Sequence, residues 1–270
     1  MIKILGLMTC FNRKDKTINS IKKLKENRDL EFSFIVADDN SKDGTREALS
    51  SMKNVTVLKG DGNLFYSGGM RLAIAEALKC KGIDYVLLFN DDVEFYDNAI
   101  ADLVRKAQNE HCVWVGPTCD TEGELSYGGV IRKSRWRPSF EIIKADNEEG
   151  YKCDTFNANC VLIPWHIFET VGNMDTAYSH SLGDFDYGFK IKKSGFNIKV
   201  SNQYVGVCCD NPVVGEWRDN KLPMSKRLRL KETPKGLPYK EWFHYLRKNY
   251  SVMTAVVYSI IPYARILFRK

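Results

Sequence analysis

The chain is poor in the patterns from which metal clusters and disulfide scaffolds are built. Its four histidines, His111, His166, His180 and His244, make no HxxxH or mixed Cys/His spacing, and its eight cysteines include no CxxC pair. No structural zinc site is expected from that pattern. The cysteines (Cys10, Cys80, Cys112, Cys119, Cys153, Cys160, Cys208 and Cys209) lie mostly inside apolar runs, which predicts reduced core thiols of a cytosolic protein. No apolar run approaches the ~20 residues that a bilayer span requires. The N-terminus enters a strand pattern, Ile2-Lys3-Ile4-Leu5-Gly6-Leu7, without a charged leader, so secretion is not expected. There is no GxGxxG fingerprint and no glycine-rich loop closing in Gly-Lys-Ser/Thr. Helix-turn-helix, zinc-finger and aromatic RNP patterns are missing too, so no nucleic-acid partner is expected.

What is present is 44% hydrophobic and 27% charged residues over 270 positions, enough to bury one large α/β core. The formal charge of +6 favours an anionic partner, and the surplus lies in the basic stretch from Arg218 to Lys270. Strand-like and helix-like periodicity alternates from the start. Apolar runs at 2–8, 32–37, 55–58 and 84–89 each lead into a polar turn, and helices are expected over 15–27, 45–52, 69–79 and 97–110. Four such units predict a doubly wound, mostly parallel central sheet flanked by helices, with ligands bound beyond the carboxyl ends of the strands. After a strand at 112–116 the rhythm breaks, which predicts mixed, partly antiparallel structure. A strand at 160–164, helices at 165–171 and 183–194 and a strand at 198–200 restore it. The expected division is a main domain over 1–215, in halves of 1–116 and 117–215, and a basic helical extension over 216–270.

Polar clusters fall at these strand ends. The first pairs Thr9-Cys10-Phe11-Asn12-Arg13 with Asp38-Asp39-Asn40-Ser41-Lys42-Asp43-Gly44-Thr45, where the second run is either a helix-capping turn or a binding turn. The second runs from Gly60 through Asn63 to Gly68-Gly69-Met70-Arg71. A glycine pair opening a helix admits a pyrophosphate to its N–H groups, or lets the helix pack closely on the sheet. The third is Asn90-Asp91-Asp92, where strand alternation sends Asn90 and Asp92 to one side and Asp91 to the other. Such oxygens suit Mg²⁺ or Mn²⁺ on a diphosphate, or simply end a strand. The fourth is His180-Ser181-Leu182-Gly183-Asp184-Phe185-Asp186, whose acids either complement a helix dipole or carry chemistry. Upstream, Asn157 and Asn159 are sugar-hydroxyl partners or turn residues.

In order and spacing these four blocks resemble the inverting family 2 glycosyltransferases over about residues 1–210. The resemblance implies a GT-A fold with a nucleotide-binding half and an acceptor-side half. It implies transfer of a sugar, with inversion, from a nucleoside diphosphate to a hydroxyl of a lipid-linked saccharide in cell-surface polysaccharide synthesis. UDP- or dTDP-sugars are the favoured donors, because a carboxylate at Asp38 would accept the imide N–H of uracil or thymine. Thr9, Asn12, Arg13, Asn63, Gly68, Gly69, Arg71 and Asp91 are the other donor-side residues implied. Asp92 with Asn90 would hold Mg²⁺ or Mn²⁺, and Asp184 would be the catalytic base that takes the hydroxyl proton. Arg71 and the metal would offset charge on the leaving diphosphate, while Asn157, Asn159, His180 and Asp186 would line the acceptor side. Three positions depart from the family pattern. Asn90 replaces the first Asp of a DxD motif, Lys190 stands where Arg is usual, and Val207-Cys208-Cys209-Asp210-Asn211 lacks the His that many relatives carry. The competing readings are a sugar-1-phosphate nucleotidyltransferase, whose Gly-x-Gly-Thr-Arg loop is missing from Leu7 to Arg13, and a non-catalytic nucleotide- or sugar-binding protein.

The extension holds the most apolar run, Ser251 to Ile261, followed by Pro262, Arg265, Arg269 and Lys270. A helix lying in an anionic membrane interface is expected, with Trp242, Tyr245, Tyr250 and Tyr258 at the headgroups and Arg247 and Lys248 against lipid. The alternative is a helix docked on the main domain or on a second subunit of a homodimer. On the first reading the chain works in the cytoplasm, peripherally on the inner face of the cell membrane.

Overall fold

The computed structural model describes residues 1–27, 29–209 and 213–268. The first half alternates β1 (Ile2–Cys10), α1 (Lys14–Lys25), β2 (Leu30–Asp38), α2 (Thr45–Ser50), β3 (Val55–Lys59), α3 (Phe65–Ala77) and β4 (Tyr85–Phe89). It continues through β5 (Glu94–Phe95), α4 (Ala99–Asn109) and β6 (Val113–Val115). The irregular stretch is β7 (Thr118–Cys119), β8 (Leu125–Tyr127), β9 (Gly129–Arg132), β10 (Phe140–Ile143), β11 (Tyr151–Lys152) and β12 (Thr155–Phe156). Then come β13 (Cys160–Pro164), α5 (Trp165–Val171), α6 (Gly183–Lys193), β14 (Ile198–Val200) and β15 (Gly206–Val207), and last α7 (Met224–Lys231), α8 (Tyr239–Asn249) and α9 (Val252–Phe268).

The central sheet runs β11-β14-β6-β13-β4-β1-β2-β3. β3, β2, β1 and β4 are parallel, β13 is inserted antiparallel between β4 and β6, and β14 is parallel to β6. Both faces are covered, which is why β1 and β4 read as continuous apolar runs. One face buries Met8, Phe34, Phe89 and Leu103, and the other Ile74, Val161, Phe168 and Tyr187. The register pairs Cys10 with Asp38 and Asp38 with Lys59, so the carboxyl ends of β1, β2 and β3 finish level with one another. The expected antiparallel region is found as the β10-β9-β12 and β5-β15-β7-β8 sheets.

Two expectations are corrected. The helix foreseen over 69–79 begins at Phe65, so Gly68 and Gly69 lie inside its first turns and are buried. Its start is set by a carboxylate from another strand end: Asp39 accepts the N–H groups of Gly62, Leu64 and Phe65 at 2.8, 3.0 and 3.1 Å. Those donors are therefore already satisfied, and no local capping residue announces the boundary.

The second correction concerns the extension. Trp242 and Tyr245 are buried with Tyr178, Phe189 and Leu246 in a cluster that docks α8 on the main domain, and Tyr250 packs against it. The indole N–H of Trp242 donates to the Tyr258 carbonyl at 3.0 Å, holding α9 on α8. Lys248 pairs with Asp175 and Asp186 at 2.7 and 2.6 Å. The aromatics foreseen at a lipid surface are thus the glue of a docked helix, whereas Arg247 remains exposed. Arg269 and Lys270 lie outside the described residues. Among the described residues no helix is long and apolar enough to cross a membrane.

Candidate active site

The turns after β1 and β2 are stitched to each other. Asn12, in the left-handed region at φ 52°, receives the Lys42 N–H on Oδ1 at 2.7 Å and donates its own N–H to Ser41 Oγ at 2.8 Å. Thr9 Oγ1 donates to the Ala37 carbonyl at 3.1 Å. A side-chain carbon at Gly69 would run into Thr9, so this glycine lets α3 lie directly on the end of β1. Gly68 packs on Leu64 and Arg71 in the same way. Asn63 is exposed in the loop before the helix.

Asp38 is fully buried, at 0% exposure. One oxygen takes Arg46 Nε and Nη2 at 3.1 and 2.8 Å, and the other takes the Ser41 N–H at 3.3 Å. Arg46 was not anticipated as part of this site, and Asp39 was foreseen only as part of the turn. The Asp-rich turn signalled polar organisation, but nothing local told which carboxylate would be consumed by which cation.

At the end of β4, Asp91 is buried while Asn90 and Asp92 are half-exposed, as the alternation requires. Arg13 Nη1 bridges Asp91 and Asp92 at 2.9 and 3.0 Å, and Thr17 Oγ1 donates to the second Asp91 oxygen at 3.1 Å. Burial pushes the Asp91 pKa up, against the opposing pull of Arg13. Cys208 lies 3.7 Å from Asp92 Oδ1; burial and the Asp92 charge push its thiol up to about 12, so it stays a neutral donor. Among the described residues no group of three or more His, Cys, Asp or Glu forms a preformed cage. A cation shared with a diphosphate needs none, since Mg²⁺ is held by one or two carboxylates, phosphate oxygens and water. The half-exposed carboxylate of Asp92 fits that arrangement.

Arg71 is not brought to this acidic end. Its Nη1 donates to the carbonyls of Asp175 and Tyr178 at 3.2 and 2.5 Å, and Asn173 Nδ2 donates to its own carbonyl at 2.9 Å. It ties α3 to the loop before α6. Lys190 serves the same loop through the Asn173 carbonyl at 2.8 Å, so the departure from Arg leaves a single-point contact.

That loop and α6 build the other wall. Asp184, half-buried in the first turn of α6, accepts the Phe185 N–H at 2.8 Å and the Ala158 N–H at 3.3 Å. Burial raises its pKa despite those two donors. Asp186 points away at 1% exposure, bound by Lys248 and by Asn249 Nδ2 at 2.9 Å, so it belongs to the α8 dock. Asn159 is buried and donates to Cys208 Sγ at 3.4 Å, while its carbonyl takes the Asn90 N–H at 3.3 Å. His180 Nδ1 accepts the Tyr66 N–H at 3.4 Å, which leaves the proton on Nε2; burial and Lys235 push its pKa down to about 4, so the ring is neutral near pH 7.

Buried polar atoms without a partner among the described residues include the Tyr66 hydroxyl at the start of α3, Asn157 Oδ1 and the Tyr178 hydroxyl on the loop before α6. The charges of both Asp184 and Asp92 act on the Tyr66 phenol, which places it within electrostatic reach of the two acids. Tyr66 was missed in the sequence because an aromatic at a helix start reads as core.

The mostly parallel sheet with its level strand ends, flanked by helices and followed by a helical C-terminal region, is consistent with the GT-A fold of nucleotide-sugar transferases. The model of glycosyl transferase family 2 matches residues 7–171, more than half of the chain, and the chain belongs to that family. It is a glycosyltransferase that moves a sugar from a nucleoside-diphosphate donor to an acceptor, which sets aside the nucleotidyltransferase and pure-binding readings. In fold it is similar to the mannosyltransferase PcManGT from Pyrobaculum calidifontis, solved with GDP-Man and Mn²⁺ (TM-score 0.54, 13% identity, 99% of this chain and 76% of that one). It is also similar to TarS from S. aureus (TM-score 0.57, 14% identity, 98% of this chain), of which it spans 55% of the length. No curated protein matches it in sequence.

Proposed function

We propose that the chain inverts the sugar it transfers, with Asp184 as the base and a nucleoside-diphosphate sugar as donor; Asp92 would hold Mg²⁺ or Mn²⁺, which would supply positive charge to the diphosphate. Buried Asp38, its oxygens taken by Arg46 and Ser41, is not the free acceptor for a uracil or thymine imide that the resemblance implied. The observation that carries this reading is the state of Asp184. It is fixed by two backbone N–H groups, has no cationic side chain on it among the described residues, and is made more basic by burial. A carboxylate without a counter-ion is a better proton acceptor than one in an ion pair. As the acceptor oxygen bonds to the anomeric carbon, its proton passes to Asp184 and the diphosphate departs from the opposite face.

Arg13 takes the place first given to Arg71: it is half-exposed beside Asp91 and Asp92 and is the cation at the diphosphate end. A bound divalent cation would add positive charge at the same place, and the GDP-Man and Mn²⁺ complex of PcManGT supports such a pairing. Asp38 acts by fixing Arg46 and Ser41 under the nucleotide. Tyr66, His180 and Asn157 line the gap where the sugar and the acceptor hydroxyl meet. The acceptor is a saccharide carried on lipid, and the chain works peripherally at the inner face of the cell membrane.

The test is release of nucleoside diphosphate from a panel of donors with and without Mn²⁺. Slow, metal-dependent release from one or a few of these nucleoside-diphosphate sugars is expected. Turnover of every donor in chelator, or of none in the panel, overturns the reading.

A further inference from the structure

The β9–β10 hairpin links the base to the outer surface. Its strand residue Phe140 sits edge-on to Phe185, the neighbour of Asp184, with ring centroids 5.3 Å apart. In the 133–139 turn that precedes it, the hairpin tip carries Arg135, Trp136 and Arg137, all exposed. The Trp136 indole is 74% exposed, yet the turn beneath it is held: Ser134 Oγ accepts the N–H groups of Trp136 and Arg137 at 3.2 and 3.1 Å. Thr254 Oγ1 then donates to the Trp136 carbonyl at 3.3 Å, fastening the tip to the first turn of α9.

α9 buries Thr254, Ala255, Ser259 and Ile266 and turns Val252, Met253, Val256, Val257 and Ile260 outward at 50 to 81% exposure. The helix has no acidic residue. The tip and helix therefore present one surface: an apolar stripe, an exposed indole and a rim of arginines. On the hairpin the nearby acid Glu141 is paired with Lys133 at 2.9 Å.

We propose that this surface, the 133–139 tip together with the outer face of α9, is the seat for an anionic lipid bilayer. The charge of the rim selects that occupant over a second copy of a chain that itself carries +6. An amphipathic helix of this kind lies about 5–10 Å deep in the headgroup region, with Trp136 beside it and the arginines at the phosphates. The proposal rests on the reading of Asp184 as the base for a lipid-carried acceptor, and adds to it a direction: the hairpin would hold the base within a few residues' length of the lipid surface that delivers the acceptor.

The experiment sediments the full chain with phosphatidylcholine vesicles that contain or lack phosphatidylglycerol. Binding is expected only with phosphatidylglycerol, weakening with salt, and Arg135→Glu/Arg137→Glu should weaken it by at least ~30-fold, from two surface charges. Trp136→Ser and Met253→Asp should also weaken it. All of these variants should release nucleoside diphosphate from a soluble donor at the wild-type rate, which shows that they fold and keeps the catalytic reading separate. Equal binding to both vesicles, or wild-type binding by the double-charge variant, overturns the proposal. So does a dimer in light scattering that Met253→Asp converts to monomer, because a second copy then covers α9.

Discussion

The carboxylates on the two sides of α3 are treated differently by the chain. On the strand-end side, Asp38, Asp39 and Asp91 are each taken up by internal partners: Arg46 and Ser41, three backbone N–H groups, and Arg13 with Thr17. On the α6 side, Asp184 is held by backbone N–H groups with no cationic side chain among the described residues, and among those residues the Tyr66 hydroxyl and Asn157 Oδ1 have no partner. A buried polar atom without a partner costs free energy in the unliganded protein, so the second wall carries an unmet demand that a sugar hydroxyl can meet.

The largest effect that would break this contrast is at Asp184. Asp184→Asn keeps the shape but cannot take a proton, so transfer should fall by roughly 10²–10⁴, while nucleotide affinity measured by calorimetry stays near wild type. Unchanged turnover in a folded variant would remove the base. In the wild-type enzyme the raised pKa has a defined sign: the carboxylate must be ionised to act, so kcat/KM should be lost as pH falls, at a higher pH than for an ordinary carboxylate. A pH profile measured with and without the Asn change checks it.

The next effects separate stability from binding within one motif. Asp91→Ala leaves Thr17 and Arg13 without their buried partner and should cost roughly 1–3 kcal/mol in urea unfolding. Asp92→Ala should leave stability nearly unchanged and remove the Mn²⁺-dependent part of nucleotide binding. The reverse outcome would mean that the two side chains exchange roles. A similar loss, roughly 1–3 kcal/mol, is expected for Lys248→Met, which strips the cation from buried Asp186; thermal unfolding would follow it, with donor release retained by the folded fraction. The smallest effect is at Tyr66. Tyr66→Phe removes a hydroxyl with no partner among the described residues, so it should not destabilise the fold, and it should slow transfer about 2–10-fold, the worth of one hydrogen bond. A variant with unchanged transfer would return Tyr66 to the scaffold.

Much of this was legible in residue order. The strand at 160–164, the helix at 165–171 and the strand at 198–200 fall where the apolar pattern places them, because each is a short buried run bounded by polar residues. The alternation at 90–92 also holds, since it depends only on strand geometry. What stayed hidden depended on partners distant in sequence. The start of α3 is written by Asp39, 26 residues before Phe65. Arg71 looked suited to a diphosphate until the carbonyls of the 175–178 loop claimed it. Trp242 and Tyr245 are equally apt for a lipid surface or a protein groove, and only the groove formed by Tyr178 and Phe189 decides between them.

A side-chain carbon at Gly183 would collide with Ser67, whose hydroxyl donates to the His180 carbonyl at 2.8 Å. The helix that rests on Thr9 near its start therefore also abuts the start of α6. For anyone reshaping this enzyme, donor preference and acceptor preference are not independent dials. A bulkier residue at 67 or 69, chosen to admit a different sugar, would push on Gly183 or Thr9 and move the base or the nucleotide turn with it. Retargeting has to begin outside this contact, at the exposed Asn63.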